Sequence, residues 1–442
     1  MSSFVIRDGC VITMDSTLGV LAKADVLVVD GRISEIAARV EAAPDVEVVD
    51  ATDCIVMPGF IDSHRHLWQT AFRGQLVNCG LGDYFRRILV GMAPSVTSDE
   101  VYAATLLGSY QLLDAGITGV VDWANVINTP EHADAGIQAL LESGIRGVYA
   151  YGWPGGLEHL FHSSIPHPED ARRVADQYFR GSDQLVTLGL GLRGPVSNPP
   201  EVLESDWRLG REIGARLNVH TGMRVPGIPT KDITILDETG LMGPDTTYVH
   251  CTNCTNEELK RIADTGGHVS VAAYSEMVMG HGHPPTDRLV NAGLRPSLSA
   301  DIVASAPGDM FSHMRVTLTE ARISAYSDDP TVPFAPTVTA HDVLGFATTN
   351  GAEALGLAGR VGALSPGMDA DMILIRTDRV NAMPGQDPIA TVVTQVDTSN
   401  VDSVWVRGRP VKRAGLLLDV DMGKLKRLAS GLQDSMRVKM VH

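Results

Sequence analysis

The sequence predicts an α/β protein: a (β/α)8 barrel of the TIM type joined to a small composite β-sandwich built from the two ends of the chain. Two observations predict it. Eight short apolar runs alternate with helical patterns between residues 54 and 301, which is the strand count of a closed barrel. Strand-like segments without helices fill the first 57 residues and return near the C-terminus, so distant segments can pair into one sheet domain.

At the N-terminus, residues 4–14, 24–37 and 46–57 alternate or run apolar, with Asp-Gly pairs at 8–9 and 30–31 marking turns. The eight barrel runs are 54–64, 117–123, 145–152, 185–193, 215–220, 246–251, 268–273 and 294–301. Between them, segments such as 99–116 and 205–214 carry apolar residues at helical spacing and end in Gly116 and Gly214, as helices commonly do. Residues 371–376 and 401–411 read as strands again, and 421–440 as a terminal helix. The expected division is a composite β-sandwich domain of 1–57 and 365–442 and a barrel domain of 58–364.

Composition narrows the partners. The 442 residues hold 36 Lys and Arg against 53 Asp and Glu, a net charge of −17. Nucleic acid and anionic membranes reward clustered cations, so neither is an expected partner. An apolar share of 44 % with 20 % charged residues suits a folded globule. There is no charge-free apolar run of about 18 residues, hence no expected membrane span. The first residues lack the basic-then-apolar pattern of a signal peptide. Five cysteines, an odd number, argue against a disulfide framework and for a reducing compartment, so a cytoplasmic protein is expected.

Barrel enzymes place their chemistry at the C-terminal ends of strands. His64 and His66 close the first run, His220 the fifth, His250 the sixth and Asp301 the eighth. In an extended segment residues i and i+2 point the same way, so His64 and His66 can reach one ion. Imidazoles plus a carboxylate suit one divalent cation, zinc first, with Fe2+ or Mn2+ also compatible. Zinc-bound water ionises near about pH 7 rather than about 15.7, so such a site supplies hydroxide. Asp301 can accept that proton and pass it on, and His250 can polarise the atom where charge develops. No nucleotide-binding glycine motif occurs in a suitable context. The chemistry read from these residues is hydrolysis.

The segment PGFIDSHRH (58–66) resembles the first-strand signature of the amidohydrolase superfamily, in the branch of cytosine deaminase-like and chlorohydrolase/S-adenosylhomocysteine deaminase-like enzymes. The resemblance extends through TTNGAEALGL (348–357) and VGALSPGMDADMILI (361–375). It implies that His64, His66, His220 and Asp301 hold one metal per chain, and that Asp301 also accepts the proton of the attacking water. It implies that His250 is a further ligand or bonds the attacked group, and that the protein is a homo-oligomer, a dimer or larger.

The chain departs from that pattern at informative places. Ring deaminases of the branch carry His-x-x-Glu after strand five, where this chain has His220-Thr-Gly-Met223, and methionine transfers no proton. Glu276 stands on the rim after run seven and is a candidate for the missing acid or for binding a polar substrate group. His281 and His283 lie in a glycine-rich rim loop and are read as substrate contacts rather than a second metal pair. Trp68, Gln69, Trp123 and Trp153 follow runs one to three and can stack on or bond a flat substrate. Cys251 and Cys254 read as buried thiols. The expected function is metal-dependent hydrolysis, by attack of metal-bound hydroxide, of a non-peptide C–N bond in a small polar, cyclic molecule. A nucleobase or nucleoside deaminase using Glu276, and a non-catalytic scaffold that kept the fold, are the competing readings.

Overall fold

The computed structural model describes residues 3–160, 163–181, 183–195, 198–224, 231–326, 331 and 333–439. Eight parallel strands follow one another around a nearly closed barrel: Phe60–Arg65, Ile117–Ala124, Arg146–Tyr151, Val186–Leu192, Arg216–Thr221, Thr246–His250, His268–Val271 and Ser297–Leu298. The outward faces pack under helices through residues such as Ile137, Leu140, Trp207 and Leu259, all buried. Among the described residues no helix is long and apolar enough to cross a membrane.

The first run divides in two. Cys54–Pro58 lies in the composite sheet, and Phe60–Arg65 opens the barrel. Gly59 makes the join because a Cβ there would lie 2.2 Å from the Thr118 hydroxyl oxygen. The eighth run is regular only over Ser297–Leu298. Serine hydroxyls supplement its backbone ladder: Ser63 Oγ lies 2.7 Å from Ser270 Oγ and donates to the Leu298 carbonyl at 2.8 Å. Beyond it, Asp301 takes a left-handed φ of 61° that ends the extended run. At that point the ring closes through backbone bonds, from Asp301 N to the His64 carbonyl at 3.0 Å and from His66 N to the Asp301 carbonyl at 2.9 Å.

The termini form one continuous nine-stranded mixed sheet. N- and C-terminal parts join where Cys54–Pro58 pairs antiparallel with Met372–Arg376, Met57 opposite Ile373. Val20–Val29 and Arg32–Ala37 form a hairpin around Asp30-Gly31, both at positive φ, as a two-residue turn matched to strand twist requires. The other Asp-Gly pair does not turn the chain. Asp8 and Gly9 form a bulge within the strand Phe4–Ile12, where the register shifts against Val20–Val29.

The helix Ser98–Asp114 starts with a capping box, Thr97 and Glu100 each bonding the other's backbone N–H. The terminal helix Met422–Lys439 lies against it, Leu425 and Leu432 packing on Leu106, Ala103 and Ala104, with Lys439 Nζ 2.5 Å from Glu100. Under the barrel, Arg146 ties the third strand to the composite sheet. Its guanidinium donates to Asp371 at 2.7 and 2.9 Å and to Asp369 at 2.9 Å, all three side chains being buried. Removing one partner of such a cluster strands buried charge. Arg146→Met is expected to cost about 3–5 kcal/mol, read as a lower denaturation midpoint. A midpoint equal to wild type would show that the cluster does not clamp the two sheets.

Candidate metal centre and substrate cleft

The barrel seam sets the geometry of the rim. His64 Nε2 lies 3.4 Å from Asp301 Oδ1, His66 Nε2 lies 3.6 Å from the same oxygen, and His220 Nε2 lies 3.2 Å from His64 Nε2. Two sets of ligand atoms converge, His64 with His66 and Asp301, and His64 with His220 and His250, each within 4.8 Å. Ligands about 2.0–2.1 Å from a tetrahedral zinc stand about 3.4 Å apart, so these spacings fit a cation at the centre. The donor chemistry fits as well. His66 Nδ1 is 3.0 Å from the Trp123 carbonyl, which fixes the proton there and leaves Nε2 with its lone pair.

Electrostatics agree with that arrangement. Burial pushes His64, His66 and His220 below the ordinary imidazole value, His66 to about 3, which keeps them neutral and able to ligate. Burial alone would raise Asp301, but the positive charge that His250 carries outweighs it and holds the carboxyl well below the usual range. His250 and Asp301 both sit at positive φ, 76° and 61°, and Cys251 follows at 52°. Non-glycine residues in this region cost of order 1 kcal/mol or more each and gather at functional sites.

Glu276 is buried on the helix Ala273–Met279 and does not line the cleft. Its Oε1 accepts from the Ala272 backbone N–H at 2.8 Å and lies 3.1 Å from His250 Nδ1. Burial lowers the His250 value, but the bond to Glu276 with the charges of Asp301 and Glu276 more than compensates, so His250 titrates above its ordinary range. Glu276 therefore touches His250 on the side away from the cleft.

Above the imidazoles opens a cleft. Leu81, Tyr84, Phe85, Leu89, Trp153, Leu192, Met223, Met279 and Ile302 give it a largely apolar wall, a common character of small-molecule sites. Met223 thus stands in the cleft where the branch carries its acid. His281 lines it too, buried and edge-on to His250 at 4.7 Å between ring centroids, with neither ring nitrogen bonded among the described residues. Trp153 faces the cleft. Trp123 lies beneath the imidazoles, 4.1 Å from His220 between ring centroids, and is fully buried. Trp68 and Gln69 are also buried without lining the cleft, and their polar atoms bond Asn125 and Tyr84. His283 is exposed on the loop beyond. Cys251 and Cys254 are buried and free.

Sequence reading missed Tyr84, Asn125 and Arg193, which line the cleft. Arg193 follows the fourth strand and is buried near Asp206 at 3.5 Å, a position its strand-end location could have flagged. Tyr84 sits between elements, on a helix with no periodic signal beyond four residues.

The sequence matches the family model "Amidohydrolase family" over residues 55–411. It is similar to a 5'-deoxyadenosine deaminase of Methanosarcina mazei, 26 % identical over 92 % of each chain. A 5-methylthioadenosine/S-adenosylhomocysteine deaminase of Symbiobacterium thermophilum is 27 % identical over 93 % of this chain and 94 % of the relative. The fold is shared with the crystal structure of an adenosine deaminase from Xanthomonas campestris with bound zinc, at a TM-score of 0.87, 23 % identity and 99 % of each chain. With a family match across most of its length and a convergent group of histidines and an aspartate on the rim, the chain belongs to the amidohydrolase family, metal-dependent hydrolases of non-peptide carbon–nitrogen bonds in small molecules.

Proposed function

We propose that this protein is a mononuclear aminohydrolase that removes an amino substituent from a small heterocycle and releases ammonia. The observation that carries the reading is the convergence of His64, His66, His220 and Asp301 at 3.2, 3.4 and 3.6 Å under an apolar cleft. The deaminase names of its relatives support the choice among C–N bonds. Zinc is the favoured ion, since three imidazoles and one carboxylate suit it. The free state of all five cysteines supports a cytoplasmic setting. We assign 58–364 to a barrel domain and 1–57 with 365–442 to a composite β-sandwich domain, a division that puts all these groups on the barrel.

A divalent cation held by those four residues supplies Lewis acidity that lets a water ionise near neutral pH. The remaining steps belong to side chains. Asp301, kept ionised by its imidazole neighbour His250, takes the proton of the attacking water and delivers it to the departing nitrogen. His250, its Nδ1 occupied by Glu276, turns Nε2 to the cleft and donates to the atom that gains charge. The apolar wall excludes water and receives a flat ring. Met223 offers no proton to a ring nitrogen, which favours substrates whose ring needs only a neutral hydrogen bond there.

Three outcomes are expected. Protein loaded with zinc carries one ion per chain, and His64→Ala loses it along with turnover, read by metal analysis. A screen of amino-heterocycles, nucleosides and amides yields ammonia from at least one amino-heterocycle. Carboxylate product from amides alone would overturn the aminohydrolase reading. Glu276→Gln keeps the acceptor for His250 but removes the charge, so kcat falls about 10- to 100-fold with metal content unchanged. Its alkaline limb shifts to lower pH, because a proton on His250 is then held less tightly. An unmoved pH profile would show that Glu276 does not charge His250.

A further inference from the structure

The stretch after the first barrel strand supplies four walls of the cleft, Leu81, Tyr84, Phe85 and Leu89. It runs from a short α-helix, Leu81–Tyr84, into a π-helix, Phe85–Met92. Extended π-helical turns are rare and occur preferentially at functional sites. Tyr84 is the polar member of the four, and its hydroxyl is held in an unusual way.

Trp68 Nε1 donates to Asn125 Oδ1 at 2.7 Å. An indole N–H can only donate, so this bond fixes which end of the Asn125 amide is oxygen. The Asn125 NH2 is thereby left to face the other way, toward the Tyr84 hydroxyl, whose titration it influences. Gln69 Nε2 donates to the same oxygen at 2.7 Å. With the Gln69 amide donating to the phenol oxygen and the Asn125 NH2 turned toward the same group, the single phenol proton is directed away from both. Tyr84 lines the cleft and lies close enough to Asp301 to feel its charge. Burial and that charge raise the phenol above its ordinary value, so it stays protonated at any working pH.

We infer that Tyr84 is a substrate-contacting hydrogen-bond donor, its oxygen held by Gln69 beside the Asn125 amide so that the O–H is aimed into the cleft at an acceptor beside the attacked carbon. The ligand class follows: a flat ring bearing a nitrogen or carbonyl oxygen next to the reacting position. No proton changes owner at Tyr84. The phenol stabilises charge on that heteroatom as the tetrahedral centre forms, the neutral counterpart of the acid that Met223 cannot be. Trp68, Asn125 and Gln69 are positioning residues that act through it. The kinetic part of this inference rests on the aminohydrolase reading, whereas the binding part does not.

Two variants test it on the zinc-loaded protein. Tyr84→Phe removes the proton alone. Asn125→Asp keeps the acceptor for Trp68 but replaces the donor facing Tyr84 by a second acceptor, which draws the phenol proton away from the cleft. The probe is pyrimidin-2-one, a flat ring with acceptors beside an unsubstituted carbon and no leaving group, titrated by calorimetry. Each variant is expected to bind it about tenfold more weakly than wild type, the worth of one hydrogen bond. Metal content and melting temperature are expected to stay at the wild-type values. On a compound that yields ammonia, kcat/KM falls about 100-fold in Tyr84→Phe, typical of losing one preorganised donor. Unchanged affinity in either variant, or no binding of the probe to wild type, overturns the inference. If no compound yields ammonia while both variants weaken probe binding, the aminohydrolase reading falls and the assignment of Tyr84 stands.

Discussion

The rim depends on one seam. The first and eighth barrel strands meet through two backbone hydrogen bonds, and the residues that make them are His64, His66 and Asp301. Barrel closure and convergence of these side chains are therefore one event. Asp62 reinforces the seam by accepting from the Ala300 backbone N–H at 3.1 Å and pairing with buried Arg65 at 3.1 Å. Asp301 can reach inward because its backbone leaves the extended region there. A seam displaced by one residue would turn every one of these side chains to the other face.

Around this seam lies a shell of buried polar groups with assigned duties. The Trp123 carbonyl lies against His66 Nδ1, Glu276 lies against His250 Nδ1, and Asp122 accepts from the Leu67 backbone N–H at 3.0 Å just past the His-x-His pair. Asp122 is pushed up to about 7 by burial, with only partial relief from that bond and from Arg65. Such groups are costly to bury without partners, and here their partners are the backbone and imidazoles of the rim. Rigidity of the donor set comes from this shell and from Trp123 packed beneath it.

Much of the architecture could be read in advance, for physical reasons that differ by element. Buried parallel strands are apolar on both faces, so Ile117–Ala124 and Val186–Leu192 stand out as largely apolar runs, broken only by Thr118, Asp122 and Thr187 and by glycines. The ligand-type residues stand out because they end such runs. The eighth strand was harder, since serine hydroxyls carry part of its pairing and its regular part is two residues long. The bulge at Asp8-Gly9 and the hairpin at Asp30-Gly31 share a dipeptide, and only the partner strand distinguishes them. Side-chain roles decided by three-dimensional neighbours were illegible. Trp68 and Gln69 look like stacking groups in one dimension, yet the Trp68 indole N–H and the Gln69 amide N–H are each spent on another residue. Glu276 looks like a free rim acid, yet it is sealed behind His250.

The pairing of Cys54–Pro58 with Met372–Arg376 has a bearing on how the molecule comes into being. The strand carrying the His-x-His pair is continuous with a strand whose neighbour is made more than three hundred residues later. During synthesis its early portion waits, apolar and without that partner, while most of the polypeptide emerges. Such long-range closure is slow and leaves edges exposed to aggregation. The convergent group of His64, His66, His220 and Asp301 is likewise complete only once residue 301 has arrived, so the rim takes shape late in this protein's maturation.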